Sequence, residues 1–260
     1  MALKALVRRT HTVVHDLDRG GGSLTDANKS NQTGRQSMFV NINATPAARP
    51  RFLGEHDGQS HASVLVMEFK YIRGAEIFGE AEPAEYVYQV VEGAVRSYKL
   101  LSDGRRQIGA FHLVGDIFGL ENGAMHRFTA EAIVDTSVRL AKRINLEHAA
   151  RADALVSREL LSMTTSNLQH AENHMLLLGR KTSLERVAAF LLEMDGRVSA
   201  AGVMALPMSR RDIADYLGLT LETVSRALSS LHEKGFLEFL GQTQRQIVLR
   251  NRSELAKLDL

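Results

Sequence analysis

Cysteine is absent from this 260-residue chain. That excludes disulfides, thiol switches and clusters held on thiolates, and it suits a reducing cytoplasm, the expected location. Excess charge is missing as well: 32 Lys and Arg stand against 30 Asp and Glu, a formal net charge of +2. The segment from Thr182 onward also balances acids and bases. Affinity for a polyanion must therefore come from where individual cations sit rather than from overall basicity. No apolar run approaches the ~20 residues that a membrane-spanning helix needs, and no membrane partner is expected. No nucleophile–base or paired-carboxylate constellation stands out, so no enzyme is expected. What the chain does have is 44% hydrophobic residues, enough for a sizeable core, and a length that suits two domains.

One stretch is far more informative than the rest. Residues 209–228 read Ser-Arg-Arg-Asp-Ile-Ala-Asp-Tyr-Leu-Gly-Leu-Thr-Leu-Glu-Thr-Val-Ser-Arg-Ala-Leu, two short helical patterns joined by a glycine. Ala214 falls where two helices would cross closely, Gly218 where a tight turn calls for positive φ, and Val224 where the second helix turns back toward Ile213. That spacing is the sequence form of a helix-turn-helix, whose second helix enters the DNA major groove. At about 100° per residue, Val224, Ala227, Leu228 and Leu231 share one face. Glu222, Ser225, Arg226 and Ser229 share the opposite one. Arg can donate two bonds to guanine and Glu can accept from cytosine. Glu222 and Arg226 also form an i,i+4 pair that, alone, would read equally well as a solvated salt bridge; beside the Ala–Gly–Val spacing, base readout is preferred. Thr220 is the expected N-cap of the second helix, and Ser209 with Asp212 forms a capping-box pattern for the first.

The flanks predict a winged version of the motif. Lys234-Gly235 ends the second helix with a cation and a glycine. Residues 236–240 and 246–249 then flank a polar tip, a β-hairpin that presents Arg245 to a phosphate. Upstream, Thr182-x-x-Glu185 opens an amphipathic helix carrying Val187, Ala188, Phe190, Leu191 and Met194. Residues 62–140 have the texture of a β-barrel or roll, with strands over 86–91 and 95–98 joined at Glu92-Gly93 and a hairpin turn at Ser102-Asp103-Gly104. The glycine-broken segment Phe111–Gly119 could line a pocket, although for any single glycine a strand corner is the preferred reading. A single helix is expected over about 145–179, free of proline and of glycine before Gly179. Leu161, Leu168 and Met175 recur on it every seven residues, with Leu178 beyond; this seam predicts a homodimer, which would place two recognition helices one DNA turn apart, and packing against the chain's own roll is expected beside it. His170 and His174 on that helix lack the glutamate spacing of a zinc protease; the pair is expected at a solvated or seam edge, and no metal is assigned.

β-roll, long helix and winged helix-turn-helix in that order resemble the cyclic-AMP receptor protein / fumarate-nitrate reduction regulator superfamily (CRP/FNR). The resemblance covers roughly residues 62–250 and is strongest over Leu206–Arg226. It is similar to the FNR and FixK branch in its Glu-x-x-Ser-Arg pattern at Glu222, Ser225 and Arg226, and it departs from the CRP branch, which has Arg where this chain has Leu221 and Gly where it has Ser225. The resemblance implies an operator of the form TTGAT-N4-ATCAA. It implies a transcription activator that works without a small-molecule ligand, recruiting RNA polymerase at promoters for low-oxygen respiration or nitrogen fixation. The iron–sulfur cluster of some relatives is excluded by the missing cysteines. The cyclic-nucleotide pocket of others uses Gly-Glu-Leu and Arg-Ser segments; Gly115-Asp116-Ile117 and Arg127-Phe128 stand here instead, so nucleotide binding is not expected. His112 or His126 could nominally serve a haem, but nothing in the sequence selects either. No cofactor is assigned. The alternative is a regulator gated by a cyclic nucleotide or haem.

The expected fold class is thus α+β. Residues 1–50 form an N-terminal extension, 51–142 the roll, 143–180 the dimerisation helix and 181–260 the winged helix-turn-helix. Within the extension, Leu3, Leu6, Val7, Val13, Val14 and Leu17 lie on a helical stripe before Gly20-Gly21-Gly22 and a polar linker. It lacks a secretory h-region and reads as a disordered or weakly docked segment, with a membrane-surface helix as an alternative. The expected DNA-contacting set is Ser209, Arg210, Arg211, Thr220, Glu222, Thr223, Ser225, Arg226, Ser229 and Arg245. The expected dimer interface is Leu161, Leu168, Met175 and Leu178.

Overall fold

The computed structural model describes residues 55–56, 59–60, 66–180 and 182–258; the N-terminal stripe and linker lie outside the described residues. After a short antiparallel ladder of β1 (Glu55–His56) and β2 (Gln59–Ser60), eight strands build the roll. They are β3 (Val66–Tyr71), β4 (Glu76–Phe78), β5 (Tyr86–Glu92), β6 (Val95–Leu100), β7 (Arg106–His112), β8 (Ile117–Phe118), β9 (Thr129–Ala132) and β10 (Thr136–Lys142). They form two antiparallel sheets, ordered β3-β10-β5-β8 and β4-β9-β6-β7. Tyr71, Tyr88, Val90, Phe118, Val138 and Leu140 from the first sheet meet Ile77, Phe78, Val95, Ala130 and Ala132 from the second in one buried cluster.

The chain crosses between the sheets at Gly93. Its φ is +87°, and a Cβ there would lie 2.5 Å from the Asp135 carbonyl oxygen, so only glycine can make this corner. The strands on either side, β5 and β6, are joined at the predicted place but are not ladder partners. The predicted turn at Ser102-Asp103-Gly104 closes the β6–β7 hairpin, with the Leu101 N–H donating to the Arg105 carbonyl at 2.8 Å.

The expected single helix over 145–179 is two helices, α1 (Arg143–Ala152) and α2 (Ala154–Arg180). Asp153 is extended between them (φ −131°, ψ 116°), and its carboxylate accepts the Leu155 N–H at 2.7 Å. An Asp side chain that takes a nearby backbone N–H offers the chain an alternative to continuing the helix; neither proline nor glycine is needed. Along α2, Leu161, Leu168 and Met175 are 68%, 58% and 65% exposed, an apolar row on a helix whose segment 164–169 is exposed on every face.

The C-terminal unit opens with α3 (Ser183–Val198), whose N-cap Thr182 and Glu185 form the predicted capping box. It continues through β11 (Ser199–Ala200), β12 (Val203–Ala205), α4 (Arg210–Leu217), α5 (Leu221–Glu233), β13 (Leu237–Leu240), β14 (Gln246–Leu249) and α6 (Arg252–Lys257). The predicted hairpin is the outer half of a four-stranded sheet ordered β11-β12-β14-β13. Sequence reading passed over β11, β12 and α6. The first two meet at a tight turn in which Ala201 and Gly202 both have positive φ; the Ala-Gly pair between two short apolar runs was the available signal.

Candidate DNA-binding interface

The helix pair forms as its sequence dictates. Ser209 and Asp212 make a reciprocal capping box at the start of α4, and Gly218 closes that helix in the left-handed region (φ 62°, ψ 38°). Thr220 caps α5, its hydroxyl accepting the Thr223 N–H at 3.2 Å. Ile213, Ala214 and Val224 are buried between the helices. Val224, Ala227, Leu228 and Leu231 form the inward face of α5, and Glu222, Arg226 and Ser229 lie exposed on the outward face.

These outward residues are free to reach a ligand. Arg226 and Glu222 make no ion pair among the described residues; Glu222 is held instead by its own N–H and the Thr220 hydroxyl, which, ahead of the Arg211 and Arg226 charges, keep its carboxyl low. The simple helix salt bridge is therefore not what the two side chains form. Ser225 is half-buried, and its hydroxyl lies 3.4 Å from the Arg210 guanidinium. Arg210 also bonds Gln244 in the wing turn and lies 5.7 Å from the centre of the Phe239 ring. It thus ties α4, α5 and the wing together, a bracing role that the sequence did not signal. Thr223 is half-buried with its hydroxyl 3.0 Å from that of Thr220. Ser209 directs its hydroxyl to Asp212 at 2.7 Å, so it serves the cap. Arg211 and Arg245 are exposed and line a cleft between this unit and the roll.

The interface is joined to the roll through Asp212, a residue noted in the sequence only as a cap. Asp212 is 4% exposed. One carboxylate oxygen accepts from Arg96 on β6 at 2.8 Å and Arg106 on β7 at 2.6 Å; the other accepts from the Ser209 N–H at 3.0 Å and its hydroxyl at 2.7 Å. Burial alone would push the Asp212 carboxyl up. The Ser209 hydrogen bonds and the Arg96 and Arg106 charges outweigh it and hold the group below the ordinary carboxylate range. Arg106 also reaches Asp215 at 2.7 Å and Arg96 reaches Glu131 at 2.5 Å.

Behind this ionic edge the junction is apolar. Phe111 of β7 packs 5.0 Å from Tyr216 of α4 and 6.3 Å, edge-on, from Phe190 of α3. Ala94, Ile108, Phe111, Leu113 and Ile133 of the roll belong to the same buried cluster as the helix-turn-helix. The segment Phe111–Gly119, a candidate pocket lining, is instead packed: Phe111 and Leu113 enter this junction, and Phe118 turns into the roll. His170 and His174 also belong here rather than at a solvated or seam edge. The His174 ring stacks on Tyr216 at 4.1 Å and meets its carbonyl oxygen at 3.0 Å, while His170 lies 3.4 Å from the Tyr216 hydroxyl. No cluster of three or more potential metal ligands occurs among the described residues. Arg186 secures both helix ends, donating to the carbonyls of Leu217 at 3.0 Å and Leu178 at 2.9 Å. Leu178 itself is half-buried, its side chain near Gly218 of its own chain, unlike the exposed Leu161, Leu168 and Met175.

Inside the roll, aromatic rings fill the space between the sheets. Phe78 stacks on His126 at 3.6 Å and lies 5.2 Å from Tyr88, which stacks on Phe118 at 5.3 Å. His112 stacks on Phe118 at 4.8 Å and meets the Ser97 hydroxyl at 2.8 Å. Desolvation, with smaller repulsion from Arg197 and His170, pushes His112 down to about 3. Arg127 points outward, 74% exposed and paired with Glu121 at 3.0 Å, and Phe128 lies over Gly109.

Comparison with known proteins places this geometry. Residues 185–258 match the Crp-like helix-turn-helix domain, and residues 68–153 the cyclic nucleotide-binding domain. The chain is 47% identical over 194 residues to the nitrogen fixation regulation protein FixK of Azorhizobium caulinodans, covering 73% of this chain and 77% of the relative. It is 42% identical over 195 residues to FixK of Rhizobium meliloti, covering 75% and 89%. The structure of FixK2 from Bradyrhizobium japonicum is similar with 70% identity and a TM-score of 0.73, covering 75% of this chain and 98% of that one. No described helix is long and apolar enough to cross a membrane. A sheet roll, a long helix and a capped helix-turn-helix with a wing are thus joined in one chain with close FixK relatives: it belongs to the CRP/FNR family, as a FixK-like transcription regulator with a helix-turn-helix DNA-binding domain.

Proposed function

We propose that the protein is a homodimeric transcription activator that reads a TTGAT-N4-ATCAA inverted repeat without a small-molecule ligand. The observation that carries this reading is the outward face of α5, where Glu222, Arg226 and Ser229 are exposed and Glu222 and Arg226 are not spent on each other. Arg226 is the guanine reader and Glu222 the cytosine acceptor. Arg210, through Gln244 and Ser225, holds helix and wing in register, and Arg211 and Arg245 take backbone phosphates. The exposed row Leu161, Leu168 and Met175 supports a two-stranded seam with a second copy. Leu178, turned toward its own chain, serves that seam least.

Ligand independence is supported by the ring packing of the roll, where Phe78, Tyr88, Phe118 and His126 fill the interior, and by Arg127, which is paired outward with Glu121. Both observations disfavour gating by a nucleotide. The stacked settings of His112 and His126 likewise disfavour haem ligation. The names of the FixK relatives support a role in nitrogen-fixation gene control, and the family resemblance extends this to low-oxygen control exercised through RNA polymerase.

The test is a gel-shift titration at fixed salt, with no added ligand, on TTGAT-N4-ATCAA and on a scrambled duplex. Tight, selective binding is expected. Selective binding only after a cyclic nucleotide is added would overturn ligand independence, and no selectivity under any condition would overturn the readout assignment.

A further inference from the structure

The cleft between the roll and the helix-turn-helix carries more positive charge than the fold uses. It is an open cleft of about 270 Å³, lined by Arg73, Arg96, Arg106, Arg211 and Arg245 against only two carboxylates, Glu131 and Asp212. These arginines come from separate segments: the turn after β3, strands β6 and β7, the first turn of α4 and the wing turn. Arg96 and Arg106 answer the two carboxylates. Arg73, Arg211 and Arg245 are exposed and have no ion-pair partner among the described residues. The Nε of Arg96 is buried with no hydrogen-bond partner there, a spare donor on a residue that lines the cleft. A network serving only the fold would pair its charges; this one leaves three arginines lining one cleft with no ion pair among the described residues.

We propose that the cleft is an oxyanion site that takes phosphate groups, with Arg73 of the roll acting beside Arg211 and Arg245. Guanidinium forks match phosphate oxygens two at a time, and the N-terminus of α4 opens onto the same space through Ser209 and Arg211. The cleft is open to solvent and its lining holds guanidinium groups but no aromatic ring on which a base could stack, so an inorganic oligophosphate or a phosphate of the DNA backbone fits better than a whole nucleotide. Because the site bridges roll and DNA-binding unit, its occupant bears on how the two are held together.

The two sources of phosphate are separated by two measurements on the full chain, comparing wild type with Arg73→Gln. Arg73 is exposed and outside the operator-reading set, and unchanged thermal unfolding will verify that the variant is folded. The first measurement is calorimetric titration with sodium tripolyphosphate in the absence of DNA. If the occupant is a free phosphate compound, wild type binds saturably and the variant about tenfold more weakly, the loss of one charge-assisted contact. The second is the salt dependence of operator affinity, which rests on the function proposed above, whereas the first does not. If the occupant is a DNA phosphate, the slope of log K against log salt falls by about 1 in the variant. Tripolyphosphate binding that Arg73→Gln leaves unchanged would overturn the first assignment. No binding together with identical slopes would overturn the site.

Discussion

Replacing Asp212 by Asn tests whether the roll and the DNA-binding unit are held together by one carboxylate. Four donors converge on Asp212: Arg96, Arg106 and the N–H and hydroxyl of Ser209. Asn preserves the shape, but one of its two terminal groups is itself a donor, so either the arginines or Ser209 must face an N–H. Loss of charge assistance on the two arginine bonds costs about 1–1.5 kcal/mol each, and a pair of donors left unmet costs about 1–3 kcal/mol more. Arg96 keeps Glu131 and Arg106 keeps Asp215, which limits the damage. The expected loss is about 3–5 kcal/mol, the scale found when one member of a buried pair is removed. It is read by urea unfolding of the full chain, followed by circular dichroism, with Arg106→Met and the double variant completing a cycle. Because the Asp212 carboxyl is held low when folded, its contribution is fully present above the ordinary carboxylate value near pH 4 and is lost as pH falls below it. The gap between wild type and variant should therefore close in acid. A loss under about 1 kcal/mol, or single effects that add within ~0.5 kcal/mol, would reduce Asp212 to an ordinary helix cap.

Three further outcomes are expected. Arg226→Ala should weaken operator binding by about 1–3 kcal/mol and relax selectivity at one guanine; an equal loss on scrambled DNA would reassign the residue to the backbone. Leu168→Lys places a cation in the exposed row of α2, and sedimentation should find monomers; a dimer at the same concentration would show that the seam lies elsewhere. His112 titrates at about 3 in the folded chain against about 6.5 unfolded. The folded state resists the proton, so this stability is intact above pH 6.5 and falls by about 1.4 kcal/mol per pH unit between there and pH 3. In His112→Asn that part of the acid slope should vanish, and an unaltered slope would contradict the enclosed setting of the ring.

What could be read in the sequence was what local sterics decide. The Ala214–Gly218–Val224 spacing, the caps at Thr182, Ser209 and Thr220, and the inward face of α5 each depend on neighbours within a few residues, and each has its predicted place. The junction was not legible. Arg96 and Asp212 stand 116 residues apart, and nothing in a strand sequence marks which of its cations will face a helix. His170 and His174 misled for the same reason: their i,i+4 spacing is a local fact, while Tyr216, which gives both rings their role, is 46 and 42 residues away. The break at Asp153 escaped because it needs one side chain to choose a backbone donor over solvent, a choice that composition does not reveal.

The stacking of His174 on Tyr216, with Arg186 fastening the ends of α2 and α4, has a bearing on the DNA as well. Among the described residues, these contacts tie the rod to the reading head. In the proposed two-fold assembly, heads tied in this way would keep a separation set by the rod. One extra base pair between half-sites adds about 3.4 Å and turns the second site by about 35°, and a stiff gauge cannot follow either change. Promoters served by such a protein would drift freely in the letters between the half-sites while keeping their number.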